Sequence, residues 1–180
     1  VGSEMCIRDR LGAKARGSIV TSEMEIFFEV CPCTIIGVTG SDGKTTTTSI
    51  IAEMLRAAGK TVYLGGNIGH PLLCDAEKMQ PEDFAVVELS SFQLLDMKRS
   101  PHIAVMTNLA PNHLDVHPDF EDYVSAKCSI YRGQRPDGCL VLNAKDAHTP
   151  RFAAEAPGRV RYFSSIGPVE NGVYCTDGVI

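Results

Sequence analysis

Thr34-Ile35-Ile36-Gly37-Val38-Thr39-Gly40-Ser41-Asp42-Gly43-Lys44-Thr45-Thr46-Thr47-Thr48 is the stretch whose reading decides the fold. It opens as a short β-branched run. Three glycines stand at three-residue spacing, a lysine and a row of hydroxyls follow, and only then does helical periodicity begin. The order is strand, phosphate loop, helix. Glycine tolerates positive φ and lets several N–H groups approach an anion, and the helix N-terminus adds partial positive charge. Lys44 supplies a mobile cation for terminal phosphates, and the Thr45 hydroxyl is placed to hold Mg²⁺. The spacing is Gly-x-x-Gly-x-x-Gly-Lys-Thr, whereas the common phosphate-loop pattern would need glycine at Val38. The competing reading is a glycine-rich turn that binds nothing.

Working outward, Met24, Ile26, Phe27, Phe28 and Val30 form an apolar segment ending at Pro32, read as a short helix beside the first strand. After the loop, Ile50, Ile51, Met54, Leu55 and Ala58 recur at helical spacing, and Gly59 stands where a helix ends. Further strands are expected at Thr61-Val62-Tyr63-Leu64, Phe84-Ala85-Val86-Val87, Ile103-Ala104-Val105-Met106-Thr107 and Cys139-Leu140-Val141-Leu142, with another at Val160-Arg161-Tyr162-Phe163. Continuous apolar runs mean strands buried on both faces. With helices between them, the expected class is α/β: a doubly wound, mostly parallel sheet flanked by helices. Residues 1–16 show no sustained period and are read as a spurious or unrelated beginning.

The 180 residues carry a formal charge of −5, and their 17 Lys and Arg are spread along the chain, which gives no basic face for nucleic acid. Nothing approaches the roughly 20 apolar residues of a membrane span. Seven cysteines at irregular spacing fit reduced thiols in a cytoplasmic protein, and Cys31-Pro32-Cys33, with one intervening residue, is read as structural.

In such sheets ligands sit beyond the carboxyl ends of the strands, which singles out Asn67, Glu88, Ser90, Asn108 and His113. Glu88 directly follows an apolar strand, where Mg²⁺ shared with Thr45 and nucleotide phosphates would compensate its charge; the alternatives are an exposed carboxylate or a salt bridge to Lys44. Ser90 and Gln93 have the spacing of a helix capping box. Phe120, Tyr123, Val124, Ile130 and Tyr131 define one face of an expected helix, with Lys127 in the middle of it. That lysine either snorkels to water or points into the site.

These motifs together resemble the central ATPase domain of the Mur ligase family: Thr39 to Thr47, Gly65-Gly66-Asn67-Ile68-Gly69, Val87-Glu88-Leu89-Ser90-Ser91-Phe92-Gln93-Leu94, and Thr107-Asn108 followed by Asn112-His113-Leu114-Asp115. The resemblance implies a central ATP-binding domain over 17–180, incomplete at its C-terminal end. It implies ATP-dependent addition of D-glutamate to UDP-N-acetylmuramoyl-L-alanine through an acyl phosphate. Gly40, Ser41, Asp42, Gly43, Lys44, Thr45, Thr46 and Thr47 would wrap the phosphates. Thr45 and Glu88 would hold one Mg²⁺ and His113 a second, Asn67 and Ser90 would contact the muramoyl substrate, and Lys127 matches a lysine that is carbamylated into a metal ligand. Lys44, Glu88, His113 and Lys127 are thus the expected catalytic set. Folylpolyglutamate synthase usually carries Gly-Lys-Gly-Ser where this chain has Gly43-Lys44-Thr45-Thr46. The ligase for the third peptide residue usually has His where this chain has Phe92. Two positions depart from the family pattern: Asn112 stands where Asp is common and Val116 where Arg is common.

Overall fold

The computed structural model describes residues 12–176 apart from 14, 70, 96 and 111–118. Its strands are β1 (Thr34–Thr39), β2 (Val62–Gly66), β3 (Phe84–Glu88), β4 (Ile103–Met106), β5 (Cys139–Asn143), β6 (Arg159–Ser164) and β7 (Gly172–Tyr174). The helices are α1 (Glu23–Val30), α2 (Lys44–Ala57), α3 (Ser91–Leu94), α4 (Phe120–Arg132) and α5 (Thr149–Glu155), and Leu72–Lys78 forms 3₁₀ turns. The strands make one sheet in the order β2-β3-β1-β4-β5-β6-β7. Every pairing in it is parallel, so the expected sheet is present and wholly parallel among the described residues.

The apolar runs behave as double-sided burial requires. Along β1, Ile35 faces a large cluster with Phe27, Leu89, Val124, Leu140 and Phe152, while Ile36 and Val38 face a smaller one with Ala52, Val86 and Val105. At about 1.5–3 kcal/mol for each fully buried large apolar side chain, these two clusters are the main force holding helices to both faces.

Helix α2 rotates differently from the reading of its sequence. Thr48 and Ala52 are buried, and Ile51 and Leu55 pack partly, but Ile50 and Met54 are 53% and 67% exposed. The short side chains of Thr48 and Ala52 let the helix lie close to the sheet, and the larger Ile50 and Met54 turn outward. In α1, Met24, Phe27 and Phe28 are buried and Val30 is exposed. No described helix is long and apolar enough to cross a membrane.

The topology positions the site. β1 lies centrally between β3 and β4, so the loop leaving its carboxyl end is flanked by Glu88 on one side and by Thr107 and Asn108 on the other. This is the switch point at which parallel sheets open a crevice.

Candidate active site

The loop after β1 is latched to the end of β4. Ser41 N–H donates to the Asn108 carbonyl (3.0 Å) and Asp42 N–H to Asn108 Oδ1 (2.9 Å). The Thr107 hydroxyl donates to the Asp42 carbonyl (2.7 Å). Gly40 has φ 149°, and a Cβ there would run into the Thr107 hydroxyl, so this latch needs glycine. Gly43 has φ 75° and is the N-cap of α2 without any side-chain cap bond. The first N–H groups of a helix lack intrahelical acceptors, so a ring of amides is left at the start of α2. The Ser41 hydroxyl is committed elsewhere: it donates to the Ala110 carbonyl (2.9 Å), accepts from Ala110 N–H (2.9 Å) and lies 3.0 Å from the Tyr123 hydroxyl.

Glu88, 2% exposed, is a buried carboxylate at the tip of β3. Its Oε2 accepts from the Thr45 hydroxyl (2.7 Å) and its Oε1 from Asn67 Nδ2 (3.1 Å). Three residues singled out from three separate strand–loop junctions therefore meet. Neither alternative for Glu88 holds: it is not an exposed carboxylate, and Lys44 Nζ instead donates to the carbonyls of Gly40 (3.0 Å) and Ser41 (2.7 Å). Among the described residues the donors to Glu88 are a neutral hydroxyl and a neutral amide, and the Thr45 hydroxyl places a second hard oxygen beside the carboxylate.

Lys127 settles the other open choice. It is 2% exposed, and its Nζ donates to the Gly40 carbonyl (2.9 Å) and the Thr39 hydroxyl (3.3 Å) and lies 4.7 Å from the centre of the Tyr123 ring. It does not snorkel; it enters beneath the phosphate loop. Burial, reinforced by the nearby Lys44 charge and opposed by Glu88, pulls its pKa from 10.5 down to about 7. The amine is consequently neutral in a large fraction of molecules near neutral pH.

A cavity of about 240 Å³ is lined by Lys44, Asn67, Ser90, Ser91, Phe92, Tyr123 and Lys127. The structure thus gathers Lys44, Thr45, Glu88, Asn67, Ser90 and Lys127 at one sheet edge. Ser90 also caps α3, accepting from Gln93 N–H (3.3 Å) while Gln93 Oε1 accepts from Ser90 N–H (3.0 Å). His113, Asn112 and Val116 lie outside the described residues. Tyr123 was missed as a site residue because an aromatic on an apolar helix stripe reads as core; its spacing of four from Lys127 was the available signal.

The model of the Mur ligase middle domain matches residues 38–172, three-quarters of the chain. The chain belongs to the Mur ligase family. A relative in Acetivibrio thermocellus named UDP-N-acetylmuramoylalanine--D-glutamate ligase is 51% identical over 179 residues, covering 99% of this chain and 38% of that protein. One of the same name in Symbiobacterium thermophilum is 54% identical over 152 residues, covering 84% of this chain and 33% of that protein. The chain therefore spans little more than a third of the length of the curated Mur ligases it matches. Among solved structures, UDP-N-acetylmuramoyl-L-alanyl-D-glutamate--2,6-diaminopimelate ligase superposes with TM-score 0.61 at 26% identity, over 77% of this chain and 33% of that one. The MurF ligase of Thermotoga maritima, in complex with ADP, superposes with TM-score 0.64 at 23% identity, over 83% of this chain and 38% of that one. The E. coli FolC structure with DHPP and ADP shares the fold more distantly, with TM-score 0.58 at 16% identity over 77% of this chain and 45% of that one. The Mur ligase resemblance read from the motifs is the family that the match establishes.

Proposed function

We propose that this chain is the nucleotide-binding core of an ATP-dependent ligase. The ligase joins D-glutamate to UDP-N-acetylmuramoyl-L-alanine through an acyl phosphate, in cytoplasmic synthesis of peptidoglycan precursors. The observation that carries the reading is the meeting of Thr45, Glu88, Asn67, Lys44 and Lys127 around one crevice at the β1 carboxyl end. Relatives about 50% identical and named for this ligation supply the choice of substrates.

In this reading the amides at the start of α2, from Gly43 to Thr46, face the ATP phosphates, because those of Ser41 and Asp42 are held by Asn108. Lys44 leaves the loop carbonyls and follows the charge on the transferring phosphoryl group. Thr45 and Glu88 form a hard-oxygen pair that fits one Mg²⁺, an ion that favours one or two carboxylates together with phosphate oxygens and water. His113 and a carbamate on Lys127 would hold a second. When bound, the ions draw charge from the phosphate oxygens. The neutral Lys127 amine is a nucleophile for CO₂; the new C–N bond forms, one proton is released, and the neutral amine becomes a carbamate anion. Asn67 and Ser90 are placed to orient the muramoyl carboxylate that accepts the phosphoryl group, and the D-glutamate amine then attacks the acyl carbon and expels phosphate.

The test is phosphate release by the full-length protein carrying this chain. Release is expected only when ATP, UDP-N-acetylmuramoyl-L-alanine and D-glutamate are all present, and Glu88→Ala should abolish it. Equal turnover with meso-diaminopimelate in place of D-glutamate would overturn the substrate assignment.

A further inference from the structure

Far from the nucleotide crevice, Cys31-Pro32-Cys33 carries the chain from α1 into β1. β1 has six residues, so this turn lies roughly 20 Å from Gly40 along the strand. One intervening residue argues against both a zinc knuckle and a thioredoxin-type motif, which is why the sequence reads as structural. The geometry shows more than that. Cys31 Sγ and Cys33 Sγ are 3.4 Å apart, in van der Waals contact, and Met79 Sδ lies 3.8 Å from Cys31 Sγ. The two thiols are also unequal. Cys33 is 2% exposed, packed in the large core cluster, whereas Cys31 is half-buried at its edge beside the exposed Pro32.

We propose that Cys31 and Cys33 form a thiol–disulfide exchange site for small disulfides of the glutathione class, with Cys31 the attacking thiol and Cys33 the resolving one. The two sulfurs share a hydrogen bond that lowers the Cys31 pKa, while the same contact, burial and the Asp83 carboxylate raise that of Cys33. Charge therefore gathers on the reachable sulfur, as an attacking thiolate requires.

The chemistry balances. The Cys31 thiolate attacks one sulfur of RS–SR; that bond breaks, one RS⁻ leaves and takes up the proton Cys31 gave to solvent, and Cys31 carries a mixed disulfide. Cys33 then gives up its proton, attacks the Cys31 sulfur and expels the second RS⁻, which takes a proton in turn. The small disulfide is reduced to two thiols, and the two cysteines are oxidised to a disulfide. Closure needs the sulfurs to approach from 3.4 Å to about 2.05 Å.

The test uses the full chain in anaerobic buffers of graded oxidised and reduced glutathione, quenched by alkylation and mapped by peptide mass spectrometry. Cys74, which is exposed, is the internal control for simple accessibility. The wild-type protein is expected to give a Cys31–Cys33 linked peptide, two hydrogens lighter than the dithiol, at least about tenfold faster than Cys74 acquires glutathione. Cys33→Ser should stop at glutathione on Cys31, and Cys31→Ser should leave Cys33 unmodified until denaturant is added. The proposal is overturned if wild-type Cys31 and Cys33 stay fully alkylatable once Cys74 is glutathionylated. Reaction at Cys33 in Cys31→Ser as fast as at Cys31 in Cys33→Ser overturns the assigned order.

Discussion

Replacing Lys127 by methionine should stabilise the fold at low pH, and the gain should shrink as pH rises. In the unfolded chain the lysine titrates near 10.5; in the folded one it titrates at about 7, chiefly because its ammonium is buried. Below pH 7 both states carry the proton, and the full cost of burying the charge is present. Between 7 and 10.5 the unfolded state holds a proton that the folded state has lost, so wild-type stability rises with pH. Each pKa unit is worth about 1.4 kcal/mol, which makes the whole difference about 5 kcal/mol. Methionine has a similar apolar length and does not titrate. Its lost hydrogen bonds to Gly40 and Thr39 lower the stability of the variant by an amount that does not depend on pH. The advantage of Lys127→Met over wild type should therefore fall by about 2 kcal/mol between pH 7 and pH 9. Urea unfolding of both proteins at several pH values measures it. The buffers must be free of CO₂, because a carbamate would replace the amine by an anion. A difference constant across this range to within about 0.5 kcal/mol would refute the buried, proton-losing amine.

Other perturbations probe the scaffold. Gly40→Ala forces a Cβ against the Thr107 hydroxyl and should cost about 2–4 kcal/mol in urea unfolding; an unchanged midpoint would remove the argument for the latch. Asn108→Ala deletes the side-chain acceptor of the Asp42 amide and should raise hydrogen exchange at that amide about tenfold, a change a passive surface residue would not cause. Ser90→Ala removes the N-cap of α3 and should destabilise by about 1 kcal/mol; no loss in denaturant titration would leave Ser90 with a substrate role alone.

Most of the sheet was legible because strands buried on both faces must be apolar at consecutive positions, as Ile35-Ile36 and Ala85-Val86-Val87 are. β7 was not: Gly172, Val173 and Tyr174 are exposed, and only pairing with β6 makes them a strand. Helix α5 lacks a long apolar period, and its main anchor is the buried Phe152. For α2 the periodicity gave the helix but not its rotation, because large side chains outweigh small ones in a hydrophobic pattern while close packing on a sheet prefers Thr48 and Ala52. At the site, the strand-end rule found Asn67, Glu88 and Asn108, since parallel topology alone puts those ends together. It could not find Tyr123, nor choose between the two fates of Lys127, because both depend on how α4 docks under the loop. The Cys31–Cys33 contact was likewise invisible, being a matter of two side-chain rotamers.

The central claim is that the crevice at the β1 carboxyl end grips a nucleotide through the α2 amides and Lys44. Isothermal titration of MgATP into the wild-type chain and into Lys44→Ala tests it most directly. Saturable heat is expected for wild type, with affinity weakened about 10- to 100-fold in the variant, the equivalent of one hydrogen bond to a charged group at about 1.5–3 kcal/mol. Identical heats for the two proteins, or none for wild type, would contradict it.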